Sequence, residues 1–179
     1  MPVLLRPWSL DDAAALQDAV ATSPDLERQL GPSTPATESE SRDFIARRLA
    51  PSRERVNAAI VVDGRAVGNV GISSLDRVND IGWVYYWLGT DARGRGLAAR
   101  AAATIAAHGF GELGLFRLEL GHRVNNPASC GFATRAGFLA EGVERQKLRY
   151  GSERFDTETH ARLATDPAPD VDLLALSGF

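Results

Sequence analysis

A glycine-rich loop in the middle of the chain has the composition of an anion-binding site. Its residues, Arg93-Gly94-Arg95-Gly96-Leu97-Ala98, lie between a predicted strand and a predicted helix. Glycines let the backbone approach a ligand closely, and the first N–H groups of the following helix carry the positive end of its dipole. This combination suits a pyrophosphate. Arg93, Arg95 and Arg100 could add charge, but the chain has 19 Arg and one Lys, so the glycines are the stronger signal.

Three other interpretations apply to this loop sequence. The P-loop pattern fails, because no Gly-Lys-Ser/Thr sequence follows. Gly94, Gly96 and Ala99 do fit the dinucleotide pattern G-x-G-x-x-A, with Glu119 about 20 residues later, which would indicate a nucleotide-binding oxidoreductase. Against that, an antiparallel hairpin precedes the loop, and too little chain follows for the second half of such a fold. An exposed glycine turn without any ligand is the third interpretation.

Two polar residues further along the chain could take part in acid–base chemistry. Asn126 followed by Pro127 is typical of a helix N-cap and first position, so Ser129 is expected in the first turn of a short helix. Glu119 lies in a predicted strand. If its carboxylate points inward, its pKa could be raised and suited to a base, and otherwise it simply pairs with an arginine.

The cysteine and the histidines do not suggest a metal site in this sequence. His108, His122 and His160 are far apart, and Cys130 has no histidine at ligand spacing. A single thiol cannot form an internal disulfide. We therefore expect no metal and a cytoplasmic protein.

Length and composition limit the class of protein. The 179 residues fit one domain, expected over residues 1–165, followed by a C-terminal tail over 166–179. The net charge of −3 argues against a nucleic-acid binder. No apolar run is long enough to span a membrane, and the first residues do not resemble a signal peptide. The apolar end, Leu173 to Phe179, suggests that a second copy covers it, which makes a homodimer possible.

The elements that would position these residues alternate between strands and helices. Capping-box patterns start two helices, and Asp63-Gly64 predicts the turn of an antiparallel hairpin. The order β-α-α-β-β-β-α-β-α-β-β indicates an α/β protein built on one mixed sheet. Within the aromatic strand, alternation places Tyr85 and Trp87 on one face and Tyr86 on the other. The later elements are expected at 81–88, 97–110, 116–120, 126–136, 138–148 and 155–163.

In their order and spacing, these motifs resemble the GNAT superfamily of N-acetyltransferases. Arg93 to Ala98 matches its R/Q-x-x-G-x-G/A loop, and Asn126 to Ser129, running on to Gly137-Phe138, is similar to its N-x-x-S…G-F segment. The resemblance covers about residues 3–163. Further segments look like the branch of ribosomal-protein N-terminal acetyltransferases: Leu5-Arg6-Pro7 with Asp12, Glu141-Gly142-Val143 and Phe155-Asp156.

The resemblance implies a fold, a co-substrate and roles for particular residues. The fold would be the acyl-CoA N-acyltransferase fold, a splayed and mostly antiparallel central sheet flanked by helices. Acetyl-CoA would be the co-substrate, attacked directly by a primary amine of a protein N-terminus or a small molecule. Ser129 would protonate the leaving thiolate, and Asp80 or Glu119 would be the base. The implied acetyl-CoA-binding residues are Tyr86, Trp87, Leu88, Arg93, Gly94, Arg95, Gly96, Leu97, Ala98, Asn126 and Ser129.

The sequence departs from the family pattern at two places. Ala133 stands where many members carry a tyrosine acid, which leaves Ser129, a water, or Tyr85 and Tyr86 as substitutes. The stretch after Gly82 is longer than usual, and a bulge in that strand would explain this and splay the strand. Because the acid and base are incomplete, a non-catalytic acyl-CoA-binding or regulatory protein on the same fold is the main alternative.

Overall fold

Eight strands form one sheet in the computed structural model, which describes residues 2–179. They are β1 Val3–Arg6, β2 Val56–Val62, β3 Arg65–Asp76, β4 Ile81–Leu88, β5 Arg117–Arg123, β6 Leu139–Tyr150, β7 Glu153–Leu163 and β8 Ala175–Leu176. Their order across the sheet is β6-β7-β5-β4-β3-β2-β1-β8. β4 pairs with β5 and β1 with β8 in parallel, and the other neighbours are antiparallel. The predicted mixed, mostly antiparallel sheet is therefore confirmed.

The helices are α1 Ala13–Ala21, α2 Leu26–Leu30, α3 Glu38–Phe44, α4 Leu97–Gly111 and α5 Pro127–Arg135. Both predicted capping boxes form. The first, at Ser9, leads into a short 3-10 turn before α1, and the second, at Thr37, starts α3. The short helix α2 was not predicted. No helix within residues 2–179 is long and apolar enough to cross a membrane.

The helices cover both faces of the sheet and enclose two apolar cores. α4 and α5 pack on one face, where Ile105, Leu118 and Phe138 are almost completely buried. The other core includes Leu16 and Leu26 of the α1 and α2 region. Burying a side chain of this size adds about 1.5–3 kcal/mol to the free energy of unfolding. The two cores therefore stabilise the sheet from both faces.

The C-terminal segment belongs to the same sheet. β8 pairs with β1, and the Ser177 N–H donates to the Leu5 carbonyl at 2.9 Å. Leu174 is only 5% exposed, and its N–H donates to Thr104 Oγ1 at 2.8 Å. We expected residues 166–179 to be a tail covered by a second copy. Instead, this segment packs against its own chain. The reason for expecting a homodimer is thereby removed.

Strand pairing corrects two sequence-based interpretations. The antiparallel run β1 to β4 is not the parallel arrangement of a dinucleotide-binding fold, so the oxidoreductase interpretation is wrong. The expected bulge in β4 is also misplaced. β4 pairs without interruption from Trp83 to Leu88, and the pairing shift lies in β3 between Ser73 and Asp76, where Ser74 has a φ of 51°.

Candidate active site

The sheet opens between β4 and β5, and a cavity lies in the opening. The two strands pair from Ile81 opposite Arg117 to Trp83 opposite Glu119, after which they diverge. The cavity between them has a volume of about 760 Å³, which is within the usual range for a small-molecule or cofactor site. Beyond Trp83, the edge of β4 that points away from β3 faces this cavity. Its backbone groups can therefore bind an extended ligand, as an open sheet edge does.

The predicted anion loop lies at one end of the cavity. Gly94 and Gly96 have φ angles of 73° and 72°, a conformation that favours glycine. Apart from chain neighbours, a Cβ added at either glycine would meet no heavy atom within 4 Å. Gly96 is also the N-cap of α4, whose first N–H groups have no acceptor within the helix. The loop and helix start therefore form an open backbone surface that fits a pyrophosphate.

Two of the three arginines near this loop hold neighbouring segments in place. The Arg93 guanidinium donates to the Leu88 carbonyl at 3.0 and 2.9 Å, and to Asp25 Oδ1 at 3.0 Å. Arg100 Nε donates to the Asp172 carbonyl at 2.9 Å, which fastens the C-terminal segment to α4. The open anion surface is thus made mainly of backbone groups rather than of these two side chains.

Two hydroxyl groups meet at the start of α5. The Asn126 side chain caps this helix by accepting from the Ser129 N–H at 3.3 Å, as predicted. The Ser129 side chain lies beside the Tyr86 hydroxyl, and the Tyr86 ring packs on Phe132 with the centroids 4.0 Å apart. Burial raises the pKa of the Tyr86 phenol despite the opposing effect of Ser129. Tyr86 is therefore protonated at neutral pH and can donate a hydrogen bond.

A buried polar network lies on the opposite face of β4. The Tyr85 hydroxyl donates to Asn57 Oδ1 at 2.5 Å, and Asn69 Nδ2 donates to the same oxygen at 3.2 Å. Trp8 Nε1 in turn donates to Asn69 Oδ1 at 2.9 Å. Tyr85 and Tyr86 thus point to opposite faces, which confirms the predicted alternation. The network itself was not predicted, because its members come from three strands and the segment before α1.

Neither carboxylate predicted as a base lies in the cavity. Asp80 is exposed in the turn before β4, and its main-chain carbonyl accepts from the Phe116 and Arg117 N–H groups at 2.7 and 3.1 Å. Glu119 accepts a hydrogen bond from Arg117 Nε at 2.6 Å, so it pairs with an arginine, which is one of the two roles predicted for it. Glu119 lies where β4 and β5 still pair and Asp80 lies just before that pairing begins, and neither lines the cavity with Ser129.

The residues expected to bind acetyl-CoA are almost all brought together. Arg95 is the exception, because it does not line the cavity. The others line it, together with Ala99 at the start of α4 and several residues of β5 and α5. These predicted residues are Tyr86, Trp87, Leu88, Arg93, Gly94, Gly96, Leu97, Ala98, Asn126 and Ser129.

Four side chains that the sequence did not connect lie together beside the cavity. The potential ligand atoms of His122, Cys130, Glu158 and His160 are all within 4.8 Å of one another. Pairing between β5 and β7 places His122 opposite Glu158, and His160 lies two residues beyond Glu158 on the same face. Separation in the sequence, on which our expectation of no metal rests, therefore does not keep these groups apart, because strand pairing closes the gap of 38 residues between the histidines.

This chain is similar to a family of acetyltransferases and to individual known members of it. Residues 3–139 match a family model described as the acetyltransferase (GNAT) domain. The chain is 26% identical over 104 residues to the ribosomal-protein-serine acetyltransferase of Escherichia coli (strain K12). That match covers 58% of this chain and 58% of the relative, which is less than two thirds of its length.

Solved structures share the whole architecture. RimJ of Mycobacterium smegmatis, in complex with a CoA-disulfide, has a TM-score of 0.78 and 25% identity, covering 90% of this chain and 82% of that chain. The microcin C7 self-immunity acetyltransferase MccE, in complex with acetyl-CoA and AMP, has a TM-score of 0.78 and 21% identity. That match covers 90% of this chain and 92% of MccE. The fold is therefore the acyl-CoA N-acyltransferase fold.

Proposed function

We propose, because the chain belongs to the GNAT acetyltransferase family, that it transfers the acetyl group of acetyl-CoA to a primary amine. The observation that carries this proposal is the cavity between β4 and β5, with a glycine loop at one end and an open strand edge along its side. Acetyl-CoA has a pyrophosphate for the loop and a long amide-containing arm for the strand edge.

In this proposal, backbone groups do most of the work of holding acetyl-CoA. Gly94, Gly96 and the first N–H groups of α4 bind the pyrophosphate. The edge of β4 from Tyr86 to Leu88 binds the extended arm through main-chain hydrogen bonds, as an added strand would. The thioester then lies near Asn126 and Ser129. Because these elements are rigid, they hold the thioester and the amine in a geometry suited to direct attack.

Ser129 is our proposed proton donor to the leaving thiolate. During transfer the amine nitrogen bonds to the thioester carbon and the carbon–sulfur bond breaks. The sulfur takes the Ser129 proton, the amine releases a proton to water, and Ser129 regains a proton from water. Tyr86 supports this role because its hydroxyl lies beside Ser129 and stays protonated. A Tyr86 hydroxyl that donates to Ser129 Oγ leaves the Ser129 proton free to point at the sulfur.

We place a protein N-terminal amine first among acceptors and a small-molecule amine second. The first is supported by the E. coli relative, whose name describes a ribosomal-protein-serine acetyltransferase. The second is supported by the fold shared with MccE, which was solved with AMP as well as acetyl-CoA. In either case the β6–β7 hairpin offers an acceptor surface, since Leu148 and Tyr150 line the cavity.

Release of the CoA thiol with a panel of amines tests this function. The panel contains peptides with a free N-terminus, the same peptides with an acetylated N-terminus, and small primary amines. Turnover with the free peptides alone supports the protein acceptor, and turnover with small amines alone supports the second class. Acetyl-CoA binding without turnover on any amine would contradict the enzyme and favour a non-catalytic acyl-CoA-binding protein.

A further inference from the structure

We propose that His122, Cys130, Glu158 and His160 form a binding site for a divalent transition-metal ion, with Zn²⁺ the best match. Together they offer two imidazole nitrogens, a thiol sulfur and a carboxylate oxygen within 4.8 Å of one another. Four ligands of these types are what a tetrahedral zinc ion takes in proteins. This proposal does not depend on the acetyltransferase function.

The distances within the cluster are close to those of a metal site. The Nε2 atoms of His122 and His160 are 3.0 Å apart, and Glu158 Oε2 is 3.0 Å from the His160 nitrogen and 3.3 Å from that of His122. The Cys130 sulfur lies within 4.8 Å of the other three ligand atoms. Ligand atoms around a tetrahedral zinc are roughly 3.4 Å apart, given metal–ligand bonds of about 2.0–2.3 Å. A small outward movement of these side chains therefore makes room for the ion.

The backbone orients the two imidazoles so that their lone pairs face each other. His122 Nδ1 lies 2.9 Å from the Arg123 carbonyl oxygen, and His160 Nδ1 lies 3.4 Å from that of Phe138. A carbonyl oxygen can only accept a hydrogen bond, so these contacts favour a ring proton on each Nδ1. Each Nε2 is then left with a lone pair directed into the cluster, the arrangement that backbone carbonyls impose on metal-ligating histidines.

Burial makes this arrangement costly without a cation. His122 is 7% exposed and His160 is 2% exposed, so water has little access to either ring. The two Nε2 lone pairs and the Glu158 carboxylate oxygen lie about 3 Å from one another. Buried acceptors that face one another lower the free energy of unfolding unless a positive species lies between them. A metal ion satisfies all of them and also binds Cys130, whose thiol proton is released when the metal binds. An extra proton on one imidazole is the competing explanation.

The ligands stand on three different elements, which suits a site that ties the fold together. His122 comes from β5, Cys130 from α5, and Glu158 and His160 from β7. Cys130 and Glu158 are partly exposed, so an ion can enter from solvent. Because Cys130 directly follows Ser129, a bound ion would also hold the first turn of α5 against β5 and β7.

Metal analysis of the untagged protein tests the site. The protein is incubated with excess Zn²⁺, desalted and assayed for zinc and protein, alongside the variants His160→Ala, Cys130→Ser and His108→Ala. We expect one zinc per wild-type chain and its loss in His160→Ala. The matched control His108→Ala removes the one histidine that lies outside the cluster, so it should retain the metal.

Cobalt substitution gives a second readout that does not depend on activity. Co²⁺ bound through Cys130 should show a thiolate-to-metal charge-transfer band, which Cys130→Ser abolishes. This variant changes one partly exposed atom, and circular dichroism checks that both it and His160→Ala are folded. A folded wild-type chain that retains no zinc and shows no charge-transfer band would overturn the proposal in favour of a shared proton. Zinc retention unchanged in both cluster variants would overturn it equally.

Discussion

Ser129 has a side chain that could serve the reaction and a main chain that serves the fold. Its N–H is bound by the Asn126 cap, so replacing its side chain leaves the helix start intact. We predict that Ser129→Ala lowers kcat by roughly 10²–10⁴-fold, the usual contribution of a positioned proton donor. The Kd for acetyl-CoA should stay close to that of the wild type. Steady-state kinetics and calorimetry measure the two quantities separately.

The matched control for this variant is Ser152→Ala, in the exposed β6–β7 turn, where kcat should not change. If the kcat of Ser129→Ala equals that of the wild type, Ser129 is not the proton donor, and Tyr86 or water must take that role. Tyr86→Phe then distinguishes these two, because it removes the other hydroxyl of the pair.

A partly buried ion pair near the N-terminus links stability to pH. Arg6 donates to Asp12 at 2.7 and 2.8 Å, and the Ser9 N–H donates to the same carboxylate at 2.9 Å. Burial by itself raises the pKa of Asp12, but these bonds outweigh it, so the pKa lies below the ordinary value. A lowered carboxyl pKa stabilises the folded state above the unfolded pKa of about 4, and this contribution is lost as pH falls through the folded pKa.

We therefore predict that Asp12→Asn lowers the free energy of unfolding at neutral pH by about 1.5–3 kcal/mol, the value of hydrogen bonds to a charged group. The difference from the wild type should shrink as the pH is lowered below about 4. Urea denaturation at several pH values measures it, with exposed Asp11→Asn as the control. A loss that is the same at every pH would show that charge is not the cause.

At the scale of elements, the N-cap of α5 is a local feature with a measurable effect. Asn126→Ala removes the side-chain acceptor for the Ser129 N–H, and should lower the free energy of unfolding by about 1 kcal/mol. Asn126→Ser keeps an acceptor and should recover most of this. The neighbouring exposed residue supplies the control, since Asn125→Ala should have no effect on urea denaturation. Equal losses in both alanine variants would contradict the capping role.

Local chemistry made most elements predictable. The capping boxes at Ser9 and Thr37, the Asp63-Gly64 turn and the cap at Asn126 all depend on residues within a few positions of one another. The helix α2 was not predicted, because a segment of five residues is too short to show a helical period. The pairing shift in β3 was not predicted either. It depends on which residues of two strands lie opposite each other, and composition does not specify this.

At the scale of the whole molecule, the candidate site combines predictable and unpredictable parts. The glycine loop and Ser129 were found because each is a short motif. The neighbours that complete the site were not, since Tyr86 reaches Ser129 and His122 reaches His160 only after strands and helices pack. The same reason explains why the sequence did not show that Asp80 and Glu119 lie outside the cavity: their position is decided by where β4 and β5 stop pairing.

The C-terminal segment should contribute to the stability of the whole fold. Leu174 is buried in the core beside α4, whereas its neighbour Leu173 is 52% exposed. We predict that Leu174→Ala lowers the free energy of unfolding by about 2–5 kcal/mol, while Leu173→Ala changes it by less than about 0.5 kcal/mol. Urea denaturation of both variants tests this pair. Similar small effects would mean that the segment is not docked on its own chain.

Calorimetric titration with acetyl-CoA tests the central claim, that the cavity between β4 and β5 binds this co-substrate. The wild type should bind one acetyl-CoA per chain, and Gly96→Trp should abolish binding by filling the loop. Gly64→Trp is the matched control, because Gly64 also has a positive φ of 83° and open space around it but lies in the β2–β3 turn. This control should bind like the wild type. A wild-type chain that binds no acetyl-CoA, or a Gly96→Trp variant that binds it normally, would contradict the account.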